Sequence, residues 1–181
     1  WTSQTPTVGG DITITGDATL VADARVLVVT RYVDLMIEGG AYLRSDADNI
    51  DTPSINVFPN DDILVVSSRD SLEIEAGAVL DAGTQLAYLY ADGTDTGSTL
   101  ADAAMIISGD ISGGAVAIYA YNGSVVINGS LQSDSYVSID SGGAVVLTEF
   151  GTIDGVGDFA ADWPYLDGDA GVFIAAVDIA I

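Results

Sequence analysis

Apolar and polar residues alternate along this chain in short runs, and a glycine turn follows most of them. In residues 124–131, Val125 and Ile127 lie two positions apart, the turn pair Asn128-Gly129 follows, and Leu131 is the next apolar residue. An alternation with a period of two predicts strands that bury one face. The apolar residues are rich in Val, Ile and Tyr, and helix signals are nearly absent, which indicates an all-β fold.

The same run recurs six times. The six versions begin with Ile12–Ile14, Leu35–Ile37, Leu72–Ile74, Met105–Ile107, Val125–Ile127 and Val145–Leu147. Each leads through a glycine to one further aliphatic residue, namely Leu20, Leu43, Leu80, Ile111, Leu131 and Ile153. These residues are 23, 37, 31, 20 and 22 positions apart. The two long intervals contain polar stretches at 46–62 and 92–102, which we interpret as loops inserted into a repeat architecture.

Another short strand is predicted before each later repeat. These strands cover residues 25–30, 62–67, 85–91, 115–121 and 135–141. One coil is therefore strand, turn, strand, glycine corner and short strand. The sequence predicts a right-handed parallel β-helix of about seven coils, roughly 34 Å long, with the six aliphatic residues in one column. A β-sandwich with Greek-key strands is the alternative. We expect an extended arm at 1–9 and a single solenoid domain at 10–181.

The alternation also predicts which side chains face the core. In the run from Leu72 to Glu75, Leu72 and Ile74 face inward and both glutamates face outward, because a one-residue slip would bury two carboxylates. Four outward positions are nevertheless apolar: Met36, Ile106, Val126 and Val146. We expect them to form one stripe that is covered by the long loops or by another subunit.

Composition excludes several classes of function. The chain has 27 acidic residues, 4 basic residues and no histidine, for a net charge of -23. Nucleic acids and anionic membrane surfaces would be repelled. No apolar run is long enough for a transmembrane helix. The lack of His and Cys removes zinc sites, Ser-His-Asp triads and thiol nucleophiles.

Both ends of the chain suggest contacts with other copies. Residues 1–8 resemble an extended Thr/Pro arm, and residues 171–181 are almost wholly apolar. Terminal coils of a solenoid have open strand edges that favour stacking. We therefore expect self-association end to end through residues 1–8 and 171–181, in a filament or a longer rod.

The coil pattern resembles secreted bacterial proteins of the filamentous-haemagglutinin and autotransporter-passenger kind. Residues 125–131 (Val-Val-Ile-Asn-Gly-Ser-Leu) and 72–80 (Leu-Glu-Ile-Glu-Ala-Gly-Ala-Val-Leu) are similar to their coils, and the resemblance covers roughly 10–155. It implies an exported, right-handed β-helix that serves as a stalk, fibre or adhesin at the cell surface. We expect a structural, non-enzymatic extracellular protein, with a carbohydrate-binding or carbohydrate-cleaving β-helix as the alternative.

Calcium is the best ligand hypothesis for the aspartate-rich loops. Asp46, Asp48 and Asp51 lie within six residues, and Asp92 and Asp95 form a shorter group. Clustered carboxylates are the oxygen ligands that Ca²⁺ takes. Solvated turn aspartates are the competing interpretation, because the chain contains 23 aspartates in total.

Two further groups of residues are candidates for cleaving or binding carbohydrate. The pair Asp61-Asp62 and Asp140 are the carboxylates that an enzyme of polysaccharide cleavage could use. The tyrosines Tyr88, Tyr90, Tyr119 and Tyr121 occur two per strand in neighbouring coils. We expect them to stack as cross-strand aromatic pairs, with binding to surface glycans as the other interpretation.

Overall fold

A computed structural model describes residues 11–22, 25–30, 33–45, 62–93, 103–156 and 171–181. This part of the chain contains nineteen β-strands and no helix. Every third strand joins the same sheet, so the strands fill three sheets in rotation. We name these sheets A, B and C in the order in which the chain enters them.

Sheet A contains the strands of the six predicted repeats and one more. Its strands are β1 (Ile12–Ile14), β4 (Leu35–Ile37), β7 (Leu72–Ile74), β10 (Ala103–Ile107), β13 (Ser124–Ile127), β16 (Ala144–Leu147) and β19 (Asp178–Ala180). Sheet B contains β2 (Thr19–Ala22), β5 (Tyr42–Ser45), β8 (Val79–Asp81), β11 (Asp110–Gly113), β14 (Ser130–Ser133) and β17 (Thr152–Gly155). Sheet C contains β3 (Val26–Val29), β6 (Asp62–Ser68), β9 (Leu86–Ala91), β12 (Ala115–Ala120), β15 (Val137–Ser141) and β18 (Val172–Ala175).

The protein is a parallel β-helix of about seven coils: six coils of three strands each, followed by β19. All neighbouring strands in the described ranges pair in parallel, which confirms the predicted solenoid and is incompatible with the Greek-key sandwich. The right-handed sense stays a prediction, as does the extended arm at 1–9, which lies outside the described residues.

The predicted aliphatic column is confirmed residue by residue. Leu20 pairs with Leu43, Leu43 with Leu80, and the ladder continues through Ile111, Leu131 and Ile153. The four central members of the column are fully buried. Burial of each such side chain contributes about 1.5–3 kcal/mol, so the column is a principal source of stability.

The outward faces follow the predicted alternation, with one difference. Leu72 and Ile74 are buried and Glu73 lies on the outer side between them. Ile106, Val126 and Val146 occupy successive outward positions in sheet A and are half-buried. Glu73 stands between Met36 and Ile106 in that same row. The apolar stripe is therefore continuous over three coils, and the carboxylate separates Met36 from it.

The corner between sheets A and B requires glycine because neighbouring coils approach closely there. A Cβ on Gly39 would lie 2.3 Å from the carbonyl oxygen of Ala76 in the next coil. Gly40 has a φ of 96°, a conformation that other residues rarely adopt. This explains why the sequence repeats glycine at these corners.

Glutamate side chains form hydrogen bonds between neighbouring coils at the same corner. The backbone N–H of Gly16 donates to Glu38 Oε2 at 3.0 Å, and that of Gly39 donates to Glu75 Oε2 at 3.1 Å. Each glutamate lies at the residue directly after its sheet A strand. A hydrogen bond from a backbone N–H to a carboxylate is strong, so these glutamates stabilise the stack of coils.

Candidate functional site: the two ends of the solenoid

The first coil forms one open end, which we call the leading edge. It consists of β1, β2 and β3, and within the described part of the chain each of these strands pairs on one side only, with β4, β5 and β6. The outer side of each strand therefore has no ladder partner among the described strands. Main-chain groups on such an edge favour pairing with another strand.

Core residues are partly exposed at the leading edge. Leu20 is 41% exposed, although Leu43, its neighbour in the same column, is 0% exposed. Ile12 is 39% exposed and pairs with the buried Leu35. Both side chains face the interior of the coil, so their exposure comes from the open end and not from the side of the rod. The outward side chains of this coil add exposed apolar area at Val21, Leu27 and Val29.

The opposite end, which we call the trailing edge, has the same character. It consists of β17, β18 and β19, which pair with β14, β15 and β16 and with no further described strand. Ile179 is 47% exposed, although its ladder neighbour Val145 is 1% exposed. Val177 and Ile181 are also exposed. The apolar segment at 171–181 contains β18 and β19 and forms part of this edge.

The two edges are complementary in hydrogen-bonding polarity. In a parallel ladder, each strand uses one side for the preceding coil and the other side for the following coil. The outer side of β19 therefore presents the same row of main-chain N–H and C=O groups that β16 presents to β19. The leading-edge strands present the N–H and C=O groups that would pair with such a row. A second copy in the same orientation can continue the parallel ladders, whereas an inverted copy would meet the edge with antiparallel strands.

A tyrosine cluster lies on the outer face of sheet C, away from both edges. The rings of Tyr90 and Tyr119 are stacked with centroids 5.7 Å apart, and Tyr119 is 6.3 Å from Tyr121 at a tilted angle. The predicted cross-strand stacking is confirmed for Tyr90 and Tyr119, which face each other in neighbouring strands. Burial raises the pKa of the Tyr90 phenol, and the negative charge of Asp92 raises it further. Tyr121 is 57% exposed, so part of the cluster is open to solvent.

The aspartates proposed for calcium fall mostly outside the described residues. This applies to Asp46, Asp48, Asp51 and Asp95. Asp92 is described: its carboxylate accepts a hydrogen bond from Asn122 Nδ2 at 3.1 Å. Within the described ranges, no three acidic side chains come together in a group that could hold a metal ion. The calcium hypothesis stays a prediction.

The carboxylates considered for sugar cleavage are only partly placed. Asp61 and the side chain of Asp62 lie outside the described residues. Asp140 is exposed on β15 and pairs with Tyr119 in the ladder, next to the tyrosine cluster.

Sequence reasoning missed a set of buried hydroxyls that join the coils near their corners. Ser133 Oγ donates to the carbonyl oxygen of Gly114 at 2.9 Å, and Ser141 Oγ donates to that of Gly123 at 2.8 Å. Both serines face the interior at the end of a strand. The alternation marks them as inward residues, which is the one signal that could have revealed them.

No family model, curated protein or solved structure matches this chain. The described residues include no helix of the length and apolar character needed to cross a bilayer.

Proposed function

We propose that this protein is a structural, non-enzymatic component of a cell-surface stalk, fibre or self-assembling filament. The observation that carries the proposal is the pair of open edges, each with core side chains that are partly exposed. Exposed ladder residues such as Leu20 and Ile179 are suited to burial against another coil.

The charge of the molecule favours contacts at the ends over contacts along the sides. The net charge is -23, and acidic side chains such as Glu73 and Asp140 lie on the outer faces of the sheets. Repulsion between like charges keeps parallel rods apart and keeps the protein soluble. Copies that meet end to end also carry the same negative net charge, so added salt screens their repulsion and end-to-end association should strengthen as ionic strength rises.

A lysine at the trailing edge should prevent assembly. In Ile179→Lys, association would bury a charge in the interior of the joined coils, which costs several kcal/mol. A cost of about 3 kcal/mol corresponds to roughly 100-fold weaker association. Gln132→Lys is the matched control, because it adds the same charge on the outward face of β14, one coil in from the trailing edge, where the side chain does not enter the core.

Light scattering over a range of protein and salt concentrations measures the outcome. We expect the mass of the wild type and of Gln132→Lys to rise with concentration, while Ile179→Lys stays monomeric. A thermal melt of each variant controls for folding. A wild type that is monomeric under all conditions, or an Ile179→Lys variant that assembles as the wild type does, contradicts the proposal.

The tyrosine cluster favours a second candidate, carbohydrate binding. An exposed ring at Tyr121 offers a face for a sugar, and the hydrogen-bonded pair Asp92 and Asn122 lies at the same end of the sheet C strands. A glycan array would find ligands, and the acidic surface predicts neutral glycans. Tyr121→Ala should weaken binding about three- to tenfold, whereas Tyr42→Ala on sheet B should not. Absence of any glycan ligand removes this candidate.

A further inference from the structure

Two corners of the solenoid carry the tripeptide Asn-Gly-Ser, at residues 122–124 and again at residues 128–130. The sequon Asn-x-Ser/Thr is the acceptor sequence for N-linked glycosylation of exported proteins, in which the Asn side-chain amide receives the sugar. None of the other asparagines in the sequence has Ser or Thr two positions later. We infer that Asn122 is the acceptor of an N-linked glycan and that Asn128 is not. The inference rests on the cell-surface location in the proposed function and adds a modification site to it.

Asn122 lies in the bend that leads from β12 in sheet C to β13 in sheet A. Its side chain is exposed, and so is that of Tyr121 directly before it. Its Nδ2 donates to Asp92 Oδ1 in the neighbouring coil at 3.1 Å. An Asn amide carries two N–H donors, so a sugar can replace one hydrogen while the other still donates to Asp92. Both the exposure and the hydrogen bonding of Asn122 therefore permit modification.

The second sequon lies at the corner between β13 and β14, where its side chains are less accessible. Asn128 is half-buried, and its Nδ2 donates to Ser108 Oγ in the neighbouring coil at 3.3 Å. Ser130 Oγ, the hydroxyl that completes this sequon, is buried. The coils also approach closely here, because a Cβ on Gly129 would lie 2.1 Å from the carbonyl oxygen of Gly109.

Main-chain hydrogen bonds hold the second sequon in the stack of coils. The N–H groups of Asn128 and Gly129 donate to the carbonyl oxygen of Ile107 at 2.7 and 3.0 Å. The N–H of Ser130 donates to the carbonyl oxygen of Gly109 at 3.2 Å. A glycan at this corner would push against the adjoining coil, and these bonds break if the two coils move apart. A chain modified at Asn128 would not complete its fold, whether the sugar arrived before folding or after it.

The transfer is a substitution at the anomeric carbon of the first sugar. The donor class is an oligosaccharide carried on a lipid pyrophosphate. Nδ2 of Asn122 forms a bond to the anomeric carbon while the bond from that carbon to the pyrophosphate oxygen breaks. The lipid pyrophosphate leaves with the electron pair, and Nδ2 gives up one proton. The product is an Asn-linked glycan with one amide N–H remaining, and the step needs no oxidant or reductant.

A glycan on Asn122 would project from the side of the rod. Asn122 follows β12, which pairs with β9 on one side and with β15 on the other, so the acceptor lies between coils and not at an open edge. The sugar would lie beside Tyr121, whose side chain is 57% exposed. Such a bulky, hydrophilic group keeps rods apart laterally and leaves end-to-end contacts open.

Secretion of the full chain from a eukaryotic host, behind a cleavable signal peptide, tests the assignment. The host's own lipid-linked oligosaccharide is the donor. The readout is the intact mass of the folded, secreted protein before and after treatment with a peptide-N-glycosidase. We expect one glycan per chain, which Asn122→Gln loses and the matched control Asn128→Gln keeps. Ser124→Ala should also lose the glycan, whereas Ser124→Thr should keep it because threonine preserves the sequon.

Three results overturn the assignment: an unmodified wild type, a glycan that persists in Asn122→Gln, or glycans on both asparagines of the folded protein. If Asn122→Gln is not secreted, Ser124→Ala decides, because it removes the sequon and leaves the bond from Asn122 to Asp92 in place. Light scattering of glycan-free protein, made without a signal peptide, tests the filament separately. Failure to assemble there overturns the proposed function and leaves the acceptor site standing, and an unglycosylated protein that assembles does the reverse.

Discussion

Leu80→Ala should destabilise the protein by about 3–4 kcal/mol, close to the middle of the range for large-to-small changes in a packed core. Leu80 is fully buried and lies between Leu43 and Ile111 in the central column. Alanine would leave a cavity that the rigid stack above and below cannot fill by collapsing. Urea unfolding of the monomer, followed by circular dichroism, gives the difference in free energy.

Leu20→Ala is the matched control for this prediction. It removes the same atoms from the same column, but at the leading edge, where the side chain is already partly exposed. We expect it to cost about 1 kcal/mol or less, because less apolar area returns to water on unfolding. Both variants are compared at low protein concentration, so that association does not bury Leu20. Equal losses of unfolding free energy in Leu80→Ala and Leu20→Ala would contradict an open leading edge.

Deletion of one whole coil should preserve the fold. Removing residues 124–143 takes out β13, β14 and β15 and joins Gly123 to Ala144. The strands on either side already pair with the deleted ones in matching register, so Met105 meets Val145 and Ile111 meets Ile153. Because the stability of a solenoid is approximately a sum over coils, we expect a shorter rod that is about 1–3 kcal/mol less stable.

Deletion of half a coil is the control for the coil deletion. Removing residues 124–133 takes out β13 and β14 but keeps β15, so the chain cannot complete its turn around the core. We expect this smaller deletion to abolish folding. Circular dichroism and small-angle X-ray scattering measure the outcome for both variants. If the shorter deletion folded and the longer one did not, the solenoid would not be built from independent coils.

The column from Leu20 to Ile153 could be predicted from the sequence because each coil repeats one local signal. An aliphatic pair, a glycine and a further aliphatic residue mark the same point of every coil, and the insertions between them are polar. Which face is buried followed from Glu73, since one slip in register would have buried a carboxylate. The fold needed no information about distant contacts, because a solenoid places each coil next to its neighbours in sequence.

Contacts between coils were harder to predict. The alternation states that Glu75 faces outward, but it does not state that its carboxylate reaches the backbone N–H of Gly39 in another coil. The buried Ser133 and Ser141 were overlooked for the same reason: a pattern assigns a face and not a partner. The candidate site was predicted in part, since the apolar segment at 171–181 indicated an open edge. The exposure of core residues at the leading edge appears only once the coils are stacked.

Electron microscopy of the concentrated wild-type protein in moderate salt tests the central claim most directly. The account predicts unbranched filaments that are one solenoid wide and grow by end-to-end contacts. Discrete particles roughly 34 Å long at all concentrations, with no end-to-end contacts, would contradict it.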